Sequence, residues 1–292
     1  MSRFQAPFPI NVLAKKESMK LQCSFYCKPI LASWYFIFFI LVSTSSCGDK
    51  NEVVDPKGKI VIHFNHNVDG NPMEIDTLKY INAAGNPYLI SEIQYFISDV
   101  TLYNADGTAK LIDDWKDIHY VDTDLSETFT WEVYDEIAAG YYDSISFTFG
   151  ISQEKNISFM YVNPPESFMF WPEYLGGGYH YIKLNGKWLE EGQTVQTTPF
   201  NCHLGIGQIY YSYPDSITGF IHNDFRVSLP GSSFDMSDGG HKQINLTMNI
   251  ENWFKDPHIY DFDVFGSYTM QNQDAMQTLK ENGHNVFSVL IE

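Results

Sequence analysis

From Lys59 onward the apolar residues of this chain recur mostly at every second position. Ile60, Ile62 and Phe64 form the first such row, and His66 continues it. Period two is the mark of a strand with one buried face. Residues 92–103 carry a longer row, Ile93, Tyr95 and Ile97, which breaks near Ser98 and resumes with Val100 and Leu102. Residues 141–150 put Ile145, Phe147 and Phe149 on one face, and residues 220–230 and 243–250 alternate in the same way. Turn signals such as Asp69-Gly70 and Asn104-Ala105-Asp106-Gly107 separate these runs. The period lengthens clearly only over residues 274–282, where a helix with Asn282-Gly283 as its C-terminal cap is expected. A shorter helix is expected to open at Trp253-Phe254. The pattern predicts a mainly β, antiparallel sandwich or barrel-like single domain over residues 59–292, with one short C-terminal helix.

Residues 169–205 depart from simple alternation. Met169-Phe170-Trp171-Pro172 is followed by the triplet Gly176-Gly177-Gly178, then by Tyr179-His180-Tyr181-Ile182-Lys183-Leu184. Three successive glycines permit a sharp bend or a close backbone approach. Period two from Tyr179 sends Tyr179, Tyr181 and Lys183 one way and His180, Ile182 and Leu184 the other. Asn185-Gly186 reads as a two-residue hairpin turn. The return strand ends in Cys202-His203, whose side chains point to opposite faces. Trp171 and His203 therefore come to neighbouring strand ends.

The 292-residue chain has a formal net charge of -18 and 16% aromatic residues. Such a balance offers little to neutralise phosphates, which excludes a nucleic-acid partner. Lys15, Lys16, Lys20 and Lys28 precede an apolar run over residues 30–42, which ends in Thr44-Ser45-Ser46-Cys47. That is the layout of a signal peptide over residues 1–46, with translation starting at Met1 or Met19. Cys47 is the expected lipidated first residue, and residues 47–58 read as an acidic tether. The expected location is the bacterial cell envelope, with the lipid as the only membrane contact. Of the four cysteines, Cys23 and Cys27 leave with the signal, so Cys202 stands without a disulfide partner.

Common catalytic motifs are absent. The chain has no phosphate-binding glycine loop and no Gly-x-Ser-x-Gly elbow. His63 and His66 have the wrong parity to share one strand face. Asp113, Asp114, Asp117, Asp122 and Asp124 fit no defined calcium loop and read as a solvated acidic surface. Tyr210, Tyr211 and Tyr213 offer ring faces that suit a sugar as well as a strand partner. What remains is a set of histidines at strand ends. Imidazole suits copper and zinc when rings from distant strands converge.

Several segments in order carry a family resemblance. They are Phe64-Asn65-His66-Asn67-Val68-Asp69-Gly70, Gln94-Tyr95-Phe96-Ile97-Ser98-Asp99-Val100 and Gly140-Tyr141-Tyr142 with Ile145-Ser146-Phe147-Thr148-Phe149-Gly150. Met169-Phe170-Trp171, Gly178-Tyr179, His203-Leu204-Gly205 and Asn282-Gly283-His284-Asn285-Val286-Phe287 complete the set. Together they resemble the MbnP-like family of extracytoplasmic copper-binding proteins, in its Bacteroidetes-type lipoprotein branch. The resemblance implies a β-sandwich-like, non-enzymatic domain holding one copper ion. In relatives a tryptophan is oxidised to kynurenine by a di-haem peroxidase of the MauG type and then helps to hold the metal. Matched by motif, that residue is Trp171, and the histidines are His203 and, from the first strand, His66. Two positions depart from the family pattern: Tyr174 lies where a second tryptophan is common, and Asn185 where glutamate is common. The alternative reading is a cell-surface interaction or glycan-binding lipoprotein without metal.

The anchor expectation is testable directly. Cys47→Ala should release the exported protein from the membrane fraction; retention there, with export intact, overturns lipidation at Cys47.

Overall fold

A computed structural model describes residues 55–292. The signal-peptide and lipidation expectations fall on residues outside that range. Two sheets pack face to face. The smaller, of six strands, is built around Lys57–Val68, whose even-numbered residues Ile60, Ile62, Phe64 and His66 are buried. This strand pairs with His241–Asn249, and Phe287–Ile291 lies beyond that partner. The larger sheet has nine strands. Its main order is Thr197–Leu204, Ile182–Leu189, Pro87–Asn104, Gly140–Phe149 and Phe225–Leu229. A separate hairpin, Gly207–Ser212 with Ser216–Ile221, follows Thr197–Leu204 in the chain.

The mainly β sandwich is as expected, and among the described residues the one α-helix longer than four residues is Gln273–Asn282, near the C-terminus. One ladder differs from the antiparallel expectation. Lys57–Val68 and His241–Asn249 run parallel, Lys59 opposite His241 and Asn67 opposite Asn249. Parallel neighbours need a long crossover, and here the whole larger sheet lies between them in sequence.

The eighteen-residue strand Pro87–Asn104 is the spine of the larger sheet. Its residues Ile93 to Ser98 are buried in unbroken succession, so both its faces are covered. Inward, Tyr95 meets Phe64 of the smaller sheet edge-on, with ring centres 6.4 Å apart. Outward, Phe96 joins Tyr120, Ile151, Met169 and Tyr179 in a second, smaller core. The segment between Gly150 and Tyr181 supplies that outer cover. Its end is tied to the sheet by the Tyr181 amide, which donates to the Leu204 carbonyl at 2.7 Å.

Three local expectations are corrected by packing. Asn185-Gly186 is not a turn; it lies within the strand Ile182–Leu189, at a register shift against the spine. Gly186 is required because a Cβ there would collide with the Leu89 carbonyl and the Phe200 ring. Trp253-Phe254 closes the 3-10 helix Ile250–Phe254 rather than opening one. Gly283 is not a left-handed cap: its φ is -60°, and the chain continues into the 3-10 turn Gly283–Asn285. Glycine is needed there for space, since a Cβ would run into the Phe225 ring.

His119 shows how the interior treats an imidazole. Its ring is sandwiched between Phe64 at 4.9 Å and Trp131 at 5.0 Å, nearly parallel to both. Nε2 donates to the Thr128 carbonyl at 2.8 Å, and Nδ1 is buried without a partner. Burial, with Lys116 adding to it, pushes the His119 pKa down to about 3. Burial alone pushes His66 down to about 4. The unfolded chain takes up these protons near pH 6.5, the folded chain only at the lower values.

Two measurements check this packing. Gly283→Ala should cost about 1–3 kcal/mol in urea unfolding, the usual size of an overpacking penalty; an unchanged midpoint overturns the steric reading. Because the folded pKa values are depressed, stability is full above pH 6.5 and falls as pH drops toward 4. Each buried histidine contributes a slope of about 1.4 kcal/mol per pH unit. His119→Phe keeps a ring in the stack and removes one proton site, so it should flatten the slope by that amount. An equal slope in wild type and variant contradicts it.

Candidate metal centre

His203 lies opposite Lys183, and Lys183 opposite Gln94, so the three share the outer face of the larger sheet. Their sequence neighbours Cys202 and Leu204 turn inward and are buried. Burial raises the Cys202 thiol to about 12, which leaves it an inert core group. The backbone of His203 is held by Thr269, whose hydroxyl accepts from the His203 amide at 2.7 Å and donates to its carbonyl at 2.5 Å.

Above this face lies the outer cover. The Met169–Trp171 and Gly178–His180 segments run antiparallel, with the Trp171 amide on the Gly178 carbonyl at 2.8 Å and the His180 amide on the Met169 carbonyl at 2.7 Å. The turn between them includes a 3-10 helix, Glu173–Leu175, and glycines 176, 177 and 178 all with positive φ. Trp171 is fully buried. Its indole lies on the backbone of Gly205, where a Cβ would approach Cε3 to 2.5 Å.

Three rings meet here. The His180 ring lies edge-to-face with Trp171 at 4.6 Å and with His203 at 5.0 Å. His180 Nδ1 donates to the Met169 carbonyl at 2.8 Å. His203 Nε2 is 2.8 Å from Asn185 Oδ1. The amide of Asn185 is oriented by Glu92, whose carboxylate accepts from Asn185 Nδ2 at 2.9 Å. A carboxylate only accepts, so Oδ1 faces His203 and His203 Nε2 carries the proton. Each imidazole thus spends its single N–H on a fixed oxygen. His180 Nε2 and His203 Nδ1 keep their lone pairs and have no hydrogen-bond partner among the described residues.

The electrostatics keep both rings neutral. Burial, with the nearby Lys183 charge, pushes His203 down to about 3. Burial first, then His203 and Lys183, hold His180 well below its ordinary value. Lys183 is itself lowered by burial, which Glu92 and Asp122 partly offset, and its ammonium donates to the Phe168 carbonyl at 2.5 Å. Two neutral nitrogen donors, each with its other nitrogen anchored on an oxygen, suit copper or zinc as part of a donor set. The indole of Trp171 is a wall rather than a donor atom, because its N–H donates to the Leu175 carbonyl at 3.2 Å.

Of the sequence-predicted residues, His203 and Trp171 come together, both touching the His180 ring or its backbone surroundings. His66 does not share the cluster. It points between the sheets, where its ring meets Phe129 at 5.5 Å and Tyr95 at 5.7 Å. His180 is the residue that period two missed. The chain bends at Tyr181 and the strand begins only at Ile182, so parity counted from Tyr179 fails before it reaches the sheet. The glycine triplet was the visible sign of that irregularity. Asn185 was also missed, because Asn-Gly reads locally as a turn. The acidic loop is self-satisfied: buried Asp135 accepts from the Asp113 and Asp114 amides and pairs with Lys110.

The family model described as MbnP matches residues 57–274. No curated protein matches. Among solved structures, MbnP from Methylosinus trichosporium is 16% identical, with 70% of this chain and 80% of that chain covered and a TM-score of 0.46. With three quarters of its length inside that family model, this chain belongs to the MbnP family.

Proposed function

We propose that this protein binds one copper ion between His180 Nε2 and His203 Nδ1, against Trp171, and serves as an envelope copper-binding lipoprotein rather than an enzyme. One observation carries the reading: buried His180 and half-buried His203, with ring centres 5.0 Å apart, each donate one N–H to a fixed oxygen and leave the other nitrogen without a hydrogen-bond partner among the described residues. Membership of a copper-related family favours copper over zinc. The proposed pair replaces His66, the first-strand histidine, with His180, which is the ring in contact with both His203 and Trp171. The charge balance favours the monovalent ion, since both donors are neutral and Lys183 stands beside them.

Oxidation of Trp171 belongs to the same proposal. As an indole it has no lone pair in the ring plane to offer. Oxidative cleavage of its C2–C3 bond, with an oxygen added at each carbon and C2 then lost as formate by hydrolysis, would give kynurenine and an aniline nitrogen beside the His180 ring; a di-haem peroxidase of the MauG type is the proposed oxidant. Intact mass and metal content of protein purified from its native host test this step. An unmodified Trp171 in copper-loaded protein rejects it and leaves a two-imidazole site.

Copper titration of purified variants tests the ligands. His180→Ala and His203→Ala should each weaken binding at least about tenfold, and Asn185→Leu, which frees the His203 tautomer, about 10–100-fold. His66→Ala should bind as wild type. Wild-type affinity in both His180→Ala and His203→Ala rejects the site. A loss in His66→Ala equal to that in His203→Ala restores the first-strand histidine instead.

A further inference from the structure

A second site lies beside this cluster. A cleft of about 590 Å³ opens between the Gly207–Ser212 strand with its following turn and the loop that leads from Tyr268 into the helix at Gln273. Its size is that of a small-ligand site. Tyr213 and Tyr268, exposed by 65% and 64%, line it with Tyr210, which meets Tyr213 edge-to-face at 5.0 Å. Aromatic faces carry negative charge density that attracts polarised C–H groups.

Gln208 closes the cleft toward the Trp171 side. Gln208 is 4% exposed. Its Nε2 donates to the carbonyls of Leu175 at 2.8 Å and Ile206 at 2.5 Å, which fixes the amide, while Oε1 is buried with no partner. Two further polar groups line the cleft. Asn272 accepts the Ala275 amide through Oδ1 at 3.1 Å, so its Nδ2 keeps donors to spare. Asp274 adds an exposed carboxylate.

We propose that this cleft binds an uncharged carbohydrate. A pyranose unit supplies hydroxyl donors for the Asp274 carboxylate, hydroxyl acceptors for Asn272 Nδ2, and C–H faces for Tyr213 and Tyr268. No lysine or arginine lines the cleft, and Asp274 repels anions, which excludes uronates and sulfated sugars. The proposal is independent of copper, although the two sites touch: Gln208 and the Trp171 indole both donate to the Leu175 carbonyl.

The test uses chelator-treated, metal-free protein and calorimetric titration with five neutral hexasaccharides: maltohexaose, cellohexaose, laminarihexaose, mannohexaose and xylohexaose. At least one should bind with Kd of about 1 mM or tighter. Tyr213→Ala and Tyr268→Ala are surface changes that leave the fold intact, and each should weaken that binding about tenfold, while Tyr213→Phe keeps it. Hexagalacturonate should bind at least about tenfold more weakly than the best neutral sugar. Absence of binding by all five, equal affinity in the Tyr213→Ala, Tyr268→Ala double variant, or preference for the uronate overturns the proposal. Because the protein is metal-free throughout, such a failure says nothing against the copper site.

Discussion

Ile93 to Ser98, at the middle of the nine-stranded sheet, are covered on both faces, and much of the architecture follows from that burial. A strand buried on one side only would alternate with polar residues. Here Phe96 faces outward and must be covered by something other than the second sheet. The chain between Gly150 and Tyr181 does this, with Met169, Tyr179 and Tyr161 packed on Phe96 and Tyr120. Covering Phe96 carries Trp171 and His180 onto the strand that ends in His203. The candidate centre is thus formed at the margin of the outer core, where the cover meets the edge of the sheet.

The chain is strongly acidic, yet among the described residues no carboxylate is hydrogen-bonded to either imidazole of the cluster. Negative charge stands one residue removed. Glu92 acts on His203 only through the Asn185 amide, and Glu92 and Asp122 offset the Lys183 ammonium. This arrangement sets the His203 tautomer without placing a full charge on it. It also separates two uses of histidine in one fold. His119 and His66 are held between the sheets by aromatic rings, each with one nitrogen buried and unpartnered, whereas His180 and His203 meet each other at the outer face.

The sandwich, its strand rows and the placing of Trp171 and His203 at neighbouring strand ends could be read in advance, because alternation reports burial wherever a strand is regular. Three things could not. The parallel pairing of Lys57–Val68 with His241–Asn249 depends on how the intervening sheet is inserted, and residue order carries no trace of it. Asn185 looks like a turn residue because Asn-Gly favours turns locally; the close approach of Leu89 and Phe200 keeps Gly186 in the strand instead.

Position 180 shows the same division most sharply. Residue order alone determined that Trp171, a glycine triplet, His180 and His203 lie close along the chain, and that His203 and Cys202 face opposite ways. Tertiary structure decided which histidines meet. Period two assigned His180 to the face of Ile182, but the bend at Tyr181, pinned by its bond to the Leu204 carbonyl, resets the count. His66 obeyed its period and was carried into the interior by it. Periodicity describes a side chain relative to its own strand. Convergence depends on where other strands and their covering segments lie, and only long-range packing determines that.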